Sequence, residues 1–153
     1  MLDKRLNLHA TVIIAGTAGV LILGPSGAGK SSLALAAIEM LRAQGRFAAL
    51  VADDQIWVHL VNGRLVAEVP EAIAGLVEIR GFGPAPIAHE ARTIIDCAVR
   101  LVAGEDAPRM AAKEATETVL GINLPRLDLA QGDVTGAARA LLAWLACPSI
   151  DGN

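Results

Sequence analysis

The chain has no tyrosine and only two phenylalanines in its 153 residues. Its core must be built without aromatic bulk. Hydrophobic residues still make up 54% of the sequence, and most of them are Ala, Val, Leu and Ile. That composition suits buried strands layered against helices, an α/β architecture. Cysteine is as scarce. Cys97 and Cys147 share no motif spacing, so two buried, reduced thiols are expected rather than a disulfide, which fits a cytoplasmic protein. There is no excess of basic charge. Thirteen Lys and Arg stand against sixteen Asp and Glu, a net charge of −3, and nothing in that balance points to nucleic acid or a membrane surface as partner. No apolar run is long enough to span a bilayer. Residues 10–23 are apolar and follow Lys4 and Arg5, like the core of a signal peptide, but they are too short for a transmembrane helix. Gly16 splits them into two β-branched patches. They read as two strands joined by a turn at Gly16-Thr17-Ala18-Gly19, not as a targeting segment. There are no internal repeats and no low-complexity tracts. The length predicts a single domain over residues 1–153.

What the sequence does have is Gly24-Pro25-Ser26-Gly27-Ala28-Gly29-Lys30-Ser31. This is G-x-x-x-x-G-K-S, the P-loop pattern. Its glycines let successive backbone N–H groups turn inward around phosphate oxygens. Lys30 adds a point charge for the β- and γ-phosphates, and the Ser31 hydroxyl can ligate Mg²⁺. The flanks are those the motif needs. Residues 19–23 form a short apolar strand. From Ser31 to Leu41 the chain is rich in Ala and Leu, with Leu33, Ala36, Ala37 and Met40 on a helical stripe. Phosphates bound here would sit at a helix N-terminus, where free N–H groups and the dipole favour anions.

The rest of the chain reads as many short strands and few helices. Residues 6–15 and 19–23 predict a hairpin feeding the P-loop. The helix runs over residues 30–43 and ends near Gly45. Residues 47–52 are the next strand, ending at Asp53-Asp54. Asn62-Gly63 between residues 55–60 and 65–69 signals a hairpin. Residues 76–80 alternate as a strand, and 81–86 read as a loop. Residues 93–102 lean to strand. Residues 104–116 are charged and hold a proline, so a mobile loop is expected. Residues 118–129 predict a strand interrupted at Pro125. Residues 134–146 predict a helix capped by Asp133. Short hairpins around one P-loop helix differ from the regular β-α-β alternation of most P-loop proteins.

Asp53 and Asp54 end an apolar strand, as a Walker-B acid does. Such a strand lies beside the P-loop strand, bringing its carboxylates near Mg²⁺ and the γ-phosphate. Adjacent acids on an extended backbone point in different directions, so one can serve the metal while the other takes a proton. Glu78 and Arg80 sit two residues apart and share a face, with Val77 and Ile79 turned to the core. A carboxylate and a guanidinium together suit a magnesium-phosphate site, and a surface ion pair explains them equally well. His9 lies on the strand entering the hairpin. His59 and His89 read as structural.

These pieces, in order, resemble the catalytic domain of the HPr kinase/phosphorylase family, the regulator of the sugar phosphotransferase system. They are His9, the P-loop, Val51-Ala52-Asp53-Asp54, and Leu76-Val77-Glu78-Ile79-Arg80-Gly81-Phe82-Gly83. The last block is similar to the family signature L-E-[IV]-R-G-L-G. The resemblance runs from about His9 to Leu129. It implies a fold like the phosphoenolpyruvate carboxykinase core, a mixed sheet with β-hairpins. It implies a short form without the family's N-terminal domain, and a homo-oligomer. Residues 24–32 would hold ATP, with Lys30 on the phosphates; Ser31 and Glu78 would bind Mg²⁺, and Asp54 is expected as a further metal residue. Asp53 matches the acid that takes the proton of the substrate serine and returns it in reverse. His9 matches a supporting histidine, and Arg109 an arginine of the family's mobile loop. Ser32 departs from the family, which carries Glu after G-K-S. The family's R-P-G-R-N segment has no counterpart, since Leu129 leads to Ala130-Gln131-Gly132-Asp133. The function expected is an ATP-dependent protein serine kinase acting on HPr or a similar phosphocarrier. Two alternatives stand beside it, a nucleotide-sensing module without transfer and a small-molecule P-loop kinase.

Overall fold

A computed structural model describes residues 4–147. In chain order the strands and helices are β1 (Leu6–Leu8), β2 (Thr11–Ala15), β3 (Ala18–Leu23), α1 (Lys30–Ala43), β4 (Ala48–Ala52), β5 (Ile56–Val61), β6 (Arg64–Glu68), β7 (Leu76–Ile79), β8 (Gly83–Pro86), β9 (Arg92–Ile94), β10 (Cys97–Val102), β11 (Thr116–Val119), β12 (Ile122–Ala130) and α2 (Val134–Leu145).

A six-stranded sheet of order β11-β12-β10-β3-β2-β4 forms the centre. Strands β3, β10 and β12 run parallel, while β2 is antiparallel to both β3 and β4. One face of this sheet buries Ile13, Ile22, Leu50 and Val99 against Leu33, Ile38 and Leu41 of α1 and Leu141 of α2. The other face buries Val12, Leu21, Val51 and Ala98 against Ile56, Val58 and Leu65 of a second sheet, β1-β5-β6-β9. The sheets touch at Gly19. A Cβ there would lie 1.8 Å from the Ile94 carbonyl oxygen, so only glycine permits the approach. Strands β7 and β8 form a separate hairpin beside α1.

Several elements follow directly from the sequence. Helix α1 spans the expected residues. It ends in a Schellman motif at Gly45, with the Gly45 N–H on Arg42 O at 2.9 Å and the Arg46 N–H on Leu41 O at 2.9 Å. The turn at Asn62 (φ 50°) and Gly63 (φ 76°) joins β5 to β6, a geometry that Asn-Gly adopts cheaply. Asp133 caps α2, accepting from the Gly136 N–H at 2.9 Å.

Other expectations need correcting. The predicted strand 6–15 breaks at His9-Ala10: β1 pairs with β5 in the second sheet, β2 with β3 in the first. The stripe of α1 is rotated, since Leu33, Ala34, Ala37, Ile38 and Leu41 are buried while Ala36 and Met40 are only partly so. Two layers of contact, to the sheet and to α2, widen the buried face. The expected loop 81–86 contains β8. Residues 93–102 divide into β9 and β10, which lie in different sheets. Residues 118–129 are parts of two strands, joined at Leu120 and Gly121, and Pro125 lies within β12 without ending it. The Arg126 N–H points to β11, onto Ala115 O, so the missing donor of Pro125 faces the β10 side. There the ladder begins only at Ala98–Arg126, and no bond is lost. Ile79 is exposed where burial was expected: it shares a face with the buried Val77, but it is the last residue of β7 and lies past the cover that Val77 receives. Cys97 is buried as predicted, but Cys147 is exposed. It follows the end of α2 rather than lying under it. Among the described residues, no helix is long and apolar enough to cross a membrane.

Candidate active site

Strand β3 ends at Leu23 and the P-loop turns directly into α1. Gly29 sits at the N-cap with φ 101°, a backbone state that glycine enters without strain. The first turn of α1 holds no acidic side chain of its own, and its N-terminus is suited to an anion. Lys30 is buried. Its ammonium donates to the carbonyls of Gly24 at 2.8 Å and Pro25 at 3.1 Å, which hold it over its own loop.

The sequence expectation put the Asp53-Asp54 strand beside the P-loop strand. Instead β2 lies between β4 and β3. Both β3 and β4 are antiparallel to β2, so they point the same way and their carboxyl ends still meet at one edge. There the two acids part. Asp53 is buried. Its Oδ1 accepts from Thr11 Oγ1 at 2.9 Å and Ser31 Oγ at 2.7 Å. Its Oδ2 is 2.9 Å from the same Ser31 oxygen and accepts the Glu78 N–H at 2.9 Å. One carboxylate thus joins β2, α1 and β7. Asp54 has φ 73°, an uncommon left-handed state that Asp tolerates better than most residues. It is exposed, and its Oδ1 lies 3.1 Å from His9 Nε2.

A cleft of about 340 Å³ opens over the loop. The P-loop side supplies Ser26, Gly27, Gly29, Lys30, Ser31 and Ser32. The facing wall is Asp54, Glu78 and Arg80. Glu78 ends up here because its own N–H is tied to Asp53, and Arg80 because it follows two residues later, just past the end of β7. Among the described residues neither Glu78 nor Arg80 forms an ion pair, so the surface-pair reading of these two is not what the structure contains.

Most of the predicted residues therefore converge. Gly24, Pro25 and Ala28 shape the loop without lining the cleft, and Asp53 backs it. His9 reaches it through Asp54. Arg109 does not reach it: it is exposed on the loop between β10 and β11 and is absent from the lining. The sequence reading missed Thr11. A buried hydroxyl in the apolar run Thr11-Val12-Ile13-Ile14-Ala15 was the available signal, because such a group needs a partner.

The donor set fits a nucleotide-bound cation rather than a free-standing metal site. Among the described residues no three His, Cys, Asp or Glu side chains converge as a metal cage. Magnesium at a phosphate site takes only one or two protein oxygens, with phosphate and water completing the shell. Ser31 and Glu78 offer that.

The chain is similar to known proteins over most of its described length. Residues 1–134 match the family model described as HPr Serine kinase C-terminal domain. The chain is 33% identical over 137 residues to HPr kinase/phosphorylase of Caldicellulosiruptor bescii, covering 82% of this chain and 42% of that protein. It is 29% identical over 139 residues to HPr kinase/phosphorylase of Lactobacillus acidophilus, covering 84% of this chain and 41% of that one. The chain thus spans about two fifths of the length of these curated relatives. A solved structure of the Hpr(Ser) kinase/phosphatase from Coxiella burnetii superposes with a TM-score of 0.76 at 26% identity, over 92% of this chain and 96% of that one. A mixed α/β fold with a P-loop, a paired-aspartate strand end and a Glu-x-Arg hairpin facing it across one cleft, together with a family match over most of its length, identify this chain as a member of the HPr serine kinase C-terminal domain family.

Proposed function

We propose that residues 1–153 form one P-loop domain, an ATP-dependent protein serine kinase acting on an HPr-like phosphocarrier. The observation that carries the reading is the Ser31–Asp53 hydrogen bond at 2.7 Å. It locks the phosphate-binding helix to a pair of acids whose second member opens into the same cleft. The named relatives support the substrate class, as HPr kinase/phosphorylases.

The N–H groups from Gly27 to Ser31 and the Lys30 ammonium hold the β- and γ-phosphates. Lys30 has only to turn from the Gly24 and Pro25 carbonyls to phosphate oxygens. Ser31 and Glu78 hold Mg²⁺, which supplies neutralisation of phosphate charge. Asp53, saturated by donors, keeps Ser31 and the β7 hairpin in register. Proton acceptance, assigned to Asp53 from the resemblance, passes to Asp54 in this reading. Asp54 faces the cleft with one oxygen uncommitted, and His9 holds the other. As the serine oxygen bonds to the γ-phosphorus and the bond to the β-phosphate oxygen breaks, Asp54 takes the serine proton and ADP leaves. Catalysis is then mostly positioning and charge neutralisation. Arg80 adds a cation across the cleft from the loop. Arg109 enters from the resemblance alone. A cytoplasmic homo-oligomer with no nucleic-acid or membrane partner completes the proposal. Mass spectrometry of an HPr-like protein after incubation with this chain, ATP and Mg²⁺ tests it; nucleotide binding with no phosphate transferred would favour a sensing module instead.

A further inference from the structure

We propose that the crevice behind the P-loop, between Ala28 and the turn after β12, takes the adenine ring of the nucleotide, and that Gln131 selects it. This rests on the reading of the cleft as a phosphate site, and adds the base specificity that neither the P-loop nor the acids can provide.

Strands β3, β10 and β12 are parallel neighbours, so their carboxyl ends share one edge. Ligands of open parallel sheets sit beyond such ends. The P-loop leaves β3 there, and residues 131–133 leave β12 there. Between them lies a crevice whose apolar walls are Ala28, Leu101 and Val134. Gly29 borders both this crevice and the phosphate cleft, so one ligand can reach both around a single residue. The crevice is shallow and open to solvent on one side, with about 10 Å³ of room. A planar ring therefore lies against it with its outer face in solvent.

The polar group at this crevice is Gln131. Its backbone N–H is fixed on Val102 O at 2.8 Å, which ties the turn to the end of β10. Its side-chain amide has no partner among the described residues. Asp133, the other polar side chain of the turn, is committed to capping α2. A primary amide carries one donor and one acceptor side by side. That fork matches the amine and N7 of adenine, whereas the same edge of guanine shows two acceptors.

Calorimetry with ATP, GTP and inorganic triphosphate tests this on the intact chain with Mg²⁺. The wild type should bind ATP on the order of tenfold more tightly than GTP, the low end for a two-bond base contact open to solvent. Gln131→Leu should erase the preference while leaving inorganic triphosphate unaffected. Gln131→Arg, with two donors for the guanine edge, should invert it. Val134→Phe, which fills the crevice, should bring ATP down toward inorganic triphosphate. An ATP/GTP ratio of one in the wild type, or a ratio unmoved in both Gln131 variants, overturns the proposal. Failure of inorganic triphosphate and ATP alike to bind would overturn the phosphate reading, and this inference with it.

Discussion

The imidazole Nε2 of His9 lies 3.1 Å from Oδ1 of Asp54. The two residues come from different strand ends, His9 from the break between β1 and β2 and Asp54 from the left-handed step after β4. That break exists because β1 and β2 belong to different sheets. The fold thus spends a chain discontinuity on each partner to bring them to one point at the cleft rim.

The first prediction separates the two aspartates. Asp54→Asn keeps the shape and tolerates the same left-handed backbone, but cannot accept the proton. ATP binding should persist while transfer falls on the order of 10²–10⁴-fold. Asp53→Asn instead turns an amide donor toward Ser31 or the Glu78 N–H. It should lower thermal stability, with a cost of about 1–3 kcal/mol for the unsatisfied buried group. His9→Ala should cost transfer only a few-fold, because an exposed pair contributes about 1 kcal/mol or less. Greater loss of transfer in a stable Asp53→Asn than in Asp54→Asn would restore the base to Asp53.

Lys30→Ala should remove transfer and weaken Mg-ATP binding. Its ammonium is held by two loop carbonyls, so the loop must stay folded for the test to count. Calorimetry on a variant with wild-type circular dichroism is the measurement, and undiminished affinity would contradict the assignment.

Glu78→Gln should raise the Mg²⁺ concentration needed for half-maximal activity, while leaving the fold intact, since the residue's structural bond is made by its backbone. A Mg²⁺ titration that superposes on the wild type would remove Glu78 from the metal site.

Much of this site was legible because its parts are local. The P-loop is eight consecutive residues whose meaning depends only on a strand before and a helix after. Asp53-Asp54 and Glu78-x-Arg80 each carry their own spacing. What could not be read is how they meet. Nothing in residues 47–52 says that β2 intervenes between β4 and β3, because strand order is set by tertiary packing. The division of labour between the aspartates was equally hidden. Burial of one and exposure of the other depends on Thr11 and the Glu78 N–H, 42 and 25 residues away in sequence. Pro125 misled because a missing donor costs nothing where no partner strand runs.

Cys97 supplies a prediction outside the site. Burial, with a smaller contribution from the neighbouring Asp96 carboxylate, pushes its thiol up to about 12 from 9.0. The unfolded chain releases this proton first. The associated stability is therefore complete below about pH 9 and is lost as pH rises toward 12. In native protein at neutral pH, alkylation should leave Cys97 unmodified, and denaturant should expose it. Rapid native alkylation of Cys97, read by peptide mass spectrometry, would contradict the burial.

The same cleft should run backward. Phosphate held by the P-loop where the β-phosphate of ATP sits can attack a phosphoserine, with Asp54 returning the proton to the serine oxygen, to give pyrophosphate. Serine-phosphorylated HPr-like protein with Mg²⁺ and phosphate, but no nucleotide, should release pyrophosphate. An active kinase that releases none would be a forward-only enzyme.

The most direct measurement is transfer of labelled γ-phosphate from ATP to an HPr-like phosphocarrier in the presence of Mg²⁺, beside the same carrier with its acceptor serine changed to alanine. The account predicts label on the wild-type carrier, none on the alanine form, and none with Lys30→Ala enzyme. An unlabelled wild-type carrier, under conditions where the chain demonstrably binds ATP, would contradict it.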